Sequence, residues 1–110
     1  MEVYTLKTQI SAIGGDTISE LHFDWEHLGL SDYRQILRIE AKLRGTDTAS
    51  RPNFDVSIGK KTSSEFRIGA AWVAAVKGTK GLCMDDMDRL GMLDLLELET
   101  RGLLFFGELA

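Results

Sequence analysis

The sequence predicts an all-β fold, an antiparallel, jelly-roll-like β-sandwich with one short helical turn near residues 84–90. Period-two alternation of apolar and polar residues recurs in Tyr4-Leu6-Thr8-Ile10-Ala12, Leu21-Phe23-Trp25, Leu37-Ile39-Ala41-Leu43, Phe54-Val56-Ile58 and Phe66-Ile68-Ala70-Trp72. Such alternation places one set of side chains on one face of a sheet. Turn-forming residues punctuate these segments every eight to twelve positions, the spacing of a sandwich or barrel.

The first strand is expected over Val3–Ile13 and the second over Thr17–Trp25, joined as a hairpin by Gly14-Gly15-Asp16. Glu26–Tyr33 breaks the alternation as a loop, with Leu28, Leu30 and Tyr33 plugging it onto the core. Arg34–Arg44 reads as the third strand, with Leu37, Ile39, Ala41 and Leu43 inward and Arg38, Glu40 and Lys42 outward. Ile36, Leu37 and Glu40 also fit a helical period, so a helix competes there.

Gly45–Asn53 is a polar loop holding the one proline, Pro52, and Phe54–Ile58 is the fourth strand. Gly59–Ser64 makes a turn, and the fifth strand runs from Glu65 toward Val76. Within it Ala70–Val76 is ambiguous, since its alanines favour helix and its Trp and Val favour strand. After the loop Gly78–Gly81, the spacing of Met84, Met87 and Leu90 gives the helical turn. Met92–Thr100 and Leu103–Leu109 then read as a closing pair of strands around a tight turn at Arg101-Gly102.

The 110 residues make a single domain, residues 1–110. The one cysteine, Cys83, allows no intrachain disulfide and reads as a small buried hydrophobe. No apolar run approaches a membrane span, and the N-terminus lacks the basic and apolar regions of a signal peptide, so a soluble, untargeted protein is expected. Net charge is −4, divided as −5 over residues 1–33, +6 over 34–80 and −5 over 81–110. Segregation of this kind favours self-association through complementary fields. Arg34, Arg38 and Lys42 read as a solvated face, so neither nucleic acid nor membrane is an expected partner.

No residue set stands out as catalytic, and a non-enzymatic protein without a cofactor is expected. His22 and His27 flank Asp24 and Glu26 but lack the further ligands of a zinc site, and read as exposed polar residues. Asp86, Asp88, Asp94 and Glu97, with Gly91, match several positions of an EF-hand loop, yet Leu90 stands where an oxygen ligand belongs. These four carboxylates are the calcium alternative; the expectation is no metal. Gly59-Lys60-Lys61-Thr62 lacks the upstream glycine of a phosphate loop and reads as a turn. Trp25, Tyr33 and Trp72 are the aromatics able to stack on a sugar or anchor a partner, with core packing favoured for both tryptophans.

Taken in order, the first seventy residues resemble the small β-sandwich proteins of tailed-phage virions, which serve in capsid decoration, head fibres and tails. The resemblance lies in Tyr4-Thr5-Leu6-Lys7-Thr8, the turn at Gly14-Gly15, the strand from Ile18 to Phe23, Tyr33 with Ile36, Leu37 and Ile39, Arg44-Gly45-Thr46-Asp47, Phe54–Ile58, Lys60–Ser64 and Phe66-Arg67. The chain departs from the pattern at Leu28-Gly29-Leu30-Ser31-Asp32, where the group has Ile-Pro, and no match continues after Gly69. The resemblance implies a structural virion protein made in the host cytoplasm. It would act through a homo-oligomer such as a trimer and through other virion proteins. The expected interaction residues are Trp25, Tyr33, Arg51, Lys60 and Lys61. A carbohydrate-binding module recognising host-surface glycans through exposed aromatics is the alternative.

Overall fold

The N-terminal hairpin forms as expected, but every later element of the described chain is helical. A computed structural model describes residues 2–45 and 62–107. Strand β1 (Glu2–Ser11) and strand β2 (Thr17–Phe23) make a two-stranded antiparallel sheet. Helices α1 (Leu30–Arg44) and α2 (Ser64–Gly78) follow, then a 3-10 helix (Met84–Arg89) and α3 (Met92–Phe106). The molecule is therefore a mixed α/β fold, and the expected sandwich is overturned.

Each correction has a local cause. The segment expected as a third strand is α1, rich in the good helix formers Leu, Arg, Gln, Glu, Ala and Lys and ended by Lys42, Arg44 and Gly45. Its inward row includes Ile36 and Glu40, four residues apart. Glu40 is buried because its carboxylate accepts the Ser63 hydroxyl at 2.7 Å and lies 3.3 Å from Arg44. A charged residue on the inner face hides the helical period and leaves the strand alternation more visible.

The expected fifth strand is α2, capped where Ser63 Oγ accepts the Phe66 N–H at 3.0 Å. Every residue from Phe66 to Ala75 is buried, so this central helix has no polar face and shows no period to read. Ala70–Val76, left open between strand and helix, is helical. The helical turn near residues 84–90 is present as the 3-10 helix. The expected fourth strand, Phe54–Ile58, lies outside the described residues, as do Thr46–Asn53 of the preceding loop and residues 59–61.

In place of the closing strand pair is one helix, Met92–Phe106, with Arg101-Gly102 within it, and residues 108–109 of the expected last strand lie outside the described residues. Gly102 is a contact point, since a Cβ there would lie 2.6 Å from the Arg67 carbonyl oxygen and 2.7 Å from the Arg67 Cβ. Gly78 serves the same purpose at the far end of α2, where a Cβ would collide with the His22 carbonyl. Small residues thus let α2 approach α3 at one end and β2 at the other.

The hairpin contributes Leu6, Ile10, Ile18, Leu21 and Phe23 to a core completed by Ile68, Ala71, Trp72 and Ala75 of α2 and Leu98 of α3. Ile36 packs with Phe66, Ala70 and Val73 on the opposite side of α2. Trp72 is fully enclosed, and its indole N–H donates to the Met84 carbonyl at 3.0 Å, which ties in the 3-10 helix. Cys83, read from sequence as buried, is exposed just before that helix.

Gly102→Ala is expected to destabilise the protein by about 1–3 kcal/mol through overpacking against Arg67. A thermal melt checks this. A melt unchanged by the substitution would contradict the close α2–α3 approach.

Candidate interaction surface

The placement of α3 begins with an irregularity in β1. Thr5 pairs with Glu20 and Ile10 with Ile18, so residues 6–9 face the single residue Ser19 across the sheet. A bulge of this size leaves backbone N–H groups without a ladder partner, and buried N–H groups require one. Asp94, fully buried in the first turn of α3, supplies it. Its carboxylate accepts the Lys7 N–H at 2.9 Å, the Thr8 N–H at 3.1 Å and the Tyr4 hydroxyl at 2.6 Å.

Burial pushes the Asp94 carboxyl upward, but the hydrogen bonds from Lys7, Tyr4 and Thr8 outweigh it and hold the group below the ordinary carboxylate range. Its partner moves the other way: burial, together with the Asp94 bond and charge, pushes the Tyr4 phenol up to about 12. Asp86 plays a parallel part at the 3-10 helix, accepting the Ile13 N–H at 2.9 Å and the Cys83 N–H at 2.8 Å.

With Asp94 fixed, helical geometry decides which side of α3 faces in. Asp94, Leu98 and Gly102 follow at intervals of four and are buried. The opposite side carries Met92, Leu93, Leu96, Thr100, Leu103 and Leu104. Met92 is 69% exposed, Leu93 62%, Leu96 50% and Leu104 55%. Thr100 is exposed and Leu103 half-buried. The stripe contains no charged residue.

Two ion pairs border it. Arg67 reaches Glu99 at 3.0 Å on one side, and Arg101 reaches Glu97 at 2.9 Å on the other. Arg101 also lies over the Tyr4 ring at 5.4 Å and 3.4 Å from Glu2, so α3 is clamped to β1 along that edge. Contiguous exposed apolar surface between satisfied polar rims is the composition of a protein-binding face.

The sequence-derived candidates fall elsewhere or have other tasks. Trp25 is half-buried, stacked on Phe105 with centroids 4.3 Å apart, and its indole N–H donates to Glu2 at 3.2 Å. Phe105 therefore occupies a face that a sugar ring would need. A cleft of about 380 Å³ beside Trp25 is lined by Glu2, Phe23, Asp24 and Glu26. Within it Asp24 accepts from His27 at 2.9 Å, and that bond lowers its pKa.

Tyr33 is exposed on α1 and meets Phe66 edge-on, at 6.2 Å. Arg51, Lys60 and Lys61 lie outside the described residues. The four calcium-candidate carboxylates do not converge: Asp86 and Asp94 bind separate backbone N–H groups, exposed Asp88 pairs with Lys42 at 3.1 Å, and Glu97 pairs with Arg101. Among the described residues no group of three or more potential ligands could hold a metal ion.

The sequence reading missed the α3 stripe because it divided the helix into two strands. A signal was present. Leu93, Leu96, Thr100 and Leu103 follow a three-four-three spacing, which a helix places along one side. Compared with family models, curated proteins and solved structures, the chain matches none. Among the described residues no helix is long and apolar enough to cross a membrane.

Asp94→Asn is expected to cost about 2–4 kcal/mol, because it weakens a charge-assisted cluster and turns an amide donor toward N–H groups. In the native protein Asp94 contributes stability that is present above its unfolded pKa of about 3.9 and is lost as pH falls through its lower folded value. Melts recorded from neutral to acidic pH should therefore fall less steeply for the variant. Tyr4 gives the alkaline counterpart, its contribution disappearing as pH rises from about 10 through about 12. NMR of the Tyr4 ring carbon should report titration near 12, falling in Asp94→Asn. An unchanged acid limb together with an unmoved phenol would refute the assignment.

Proposed function

We propose that this chain is a non-enzymatic assembly protein of a tailed-phage particle, and that it acts by binding protein chains through the outer side of α3. The observation that carries the binding role is the uncharged stripe from Met92 to Leu104, exposed beside neutralised ion pairs. Leaving several large apolar side chains in water is unfavourable, and a partner that covers them recovers part of the roughly 1.5–3 kcal/mol that full burial of such a side chain provides. The phage setting is supported by the ordered motifs between Tyr4 and Arg67. It no longer includes a sandwich fold. The described polar clusters support structural roles: Asp86 and Asp94 hold the hairpin, and Arg67 and Arg101 join α3 to its neighbours.

The reading is tested by co-expressing the chain with the products of the genes encoded beside its own. A neighbouring product is expected to copurify with the native chain and to be lost with Leu96→Glu, while the circular dichroism of the variant stays unchanged. Failure of every neighbour to copurify with a chain that is itself monomeric, or binding that is indifferent to Leu96→Glu, would count against it.

A further inference from the structure

We infer that a second copy of this chain covers the α3 stripe, the two helices packing antiparallel about a two-fold axis near position 98. The inference rests on the reading of α3 as a protein-binding face and names its occupant. Leu93, Leu96, Thr100 and Leu103 have the three-four-three spacing that forms a continuous seam between two paired helices. In the antiparallel register Leu93 meets Leu103 of the other copy and Leu96 meets Thr100, with Met92 and Leu104 flanking the two ends of the seam. Each contact then occurs twice, as in an isologous interface, with the smaller Thr100 opposite the larger Leu96.

Thr100 is compatible with a dry seam. Its hydroxyl lies 3.5 Å from the Leu96 carbonyl of its own helix, which leaves its methyl group outward. The charges at the edges also permit self-pairing. Glu97 and Glu99 would approach their counterparts, but each already has an arginine on its own chain, Arg101 and Arg67 respectively. The stripe itself carries no charged residue, so no bare like charges face one another within the seam.

The area sets the strength. Fifteen helical residues span about 22 Å, and the exposed parts of the six stripe side chains come to roughly 500 Å² per copy. Complete coverage of both stripes removes at most roughly 1,000 Å² in total, below the roughly 1,200 Å² at which stable interfaces begin, and so describes a weak dimer in dynamic exchange.

Light scattering behind a sizing column tests the inference on the full chain over a range of concentrations. The native mass is expected to rise toward twice 12.3 kDa, and Leu96→Glu should hold it at one chain mass without altering its circular dichroism. A second measurement uses chains carrying Cys83→Ser, mixed in two forms, one with Leu96→Cys and the other with Thr100→Cys. Oxidation should join unlike chains in preference to like ones. A native chain that stays monomeric at high concentration, a dimer that survives Leu96→Glu, or a preference for disulfides between like chains would each overturn it. A monomer that still binds a neighbouring gene product through Leu96 would refute this inference while leaving the proposed function standing. A Leu96-dependent dimer with no such binding would support self-pairing and count against a heterologous partner.

Discussion

The placement of α3 against the hairpin depends on one carboxylate, that of Asp94. The bulge in β1 turns the Lys7 and Thr8 N–H groups away from the strand ladder, and Asp94 receives both while also holding the Tyr4 hydroxyl. The two ends of this connection are more than eighty residues apart in sequence, so α3 is joined to the first strand of the chain. A two-stranded hairpin has little stability alone in water, and this one is held between α2 and α3. Asp86 repeats the device with Ile13 and Cys83. Buried charge is costly unless it is fully hydrogen-bonded, and both carboxylates meet that condition with backbone donors.

The same anchor links fold to surface. Once Asp94 points inward, Leu98 and Gly102 follow it at helical spacing, and Gly102 lets the backbone of α3 approach Arg67. Met92, Leu93, Leu96, Thr100 and Leu104 must then point outward, whatever their preference for water. The apolar stripe is thereby presented on a fixed helix, with Arg101 and Arg67 closing its edges. A rigid apolar face loses little conformational freedom when a partner binds, which favours recognition through a small area.

Part of this was legible in the sequence. Alternation around Gly14-Gly15 identified the hairpin, and the spacing of Met84, Met87 and Leu90 identified the helical turn. Helices α1 and α3 were obscured because buried polar residues interrupt their inner faces, Glu40 in α1 and Asp94 in α3. Hydrophobic periodicity assumes that the inward side is apolar, and at these positions long-range hydrogen bonds reverse the assumption. Helix α2 carries no period because it is covered all round, and Gly102 reads as a turn in sequence although it marks a helix contact. The binding surface was hidden for a related reason, since leucines on both sides of α3 conceal which row faces water.

The most direct measurement is the pH dependence of the Lys7 and Thr8 amide proton shifts, followed by NMR in the native protein. If Asp94 accepts both N–H groups, the two resonances should lie downfield and move together in a single transition below the ordinary aspartate range, whose reference value is 3.8. Both should lose that transition in Asp94→Asn. Amide shifts that stay flat through the acidic range, or that follow separate transitions, would contradict the anchoring of α3 by Asp94 and with it the orientation of the exposed stripe.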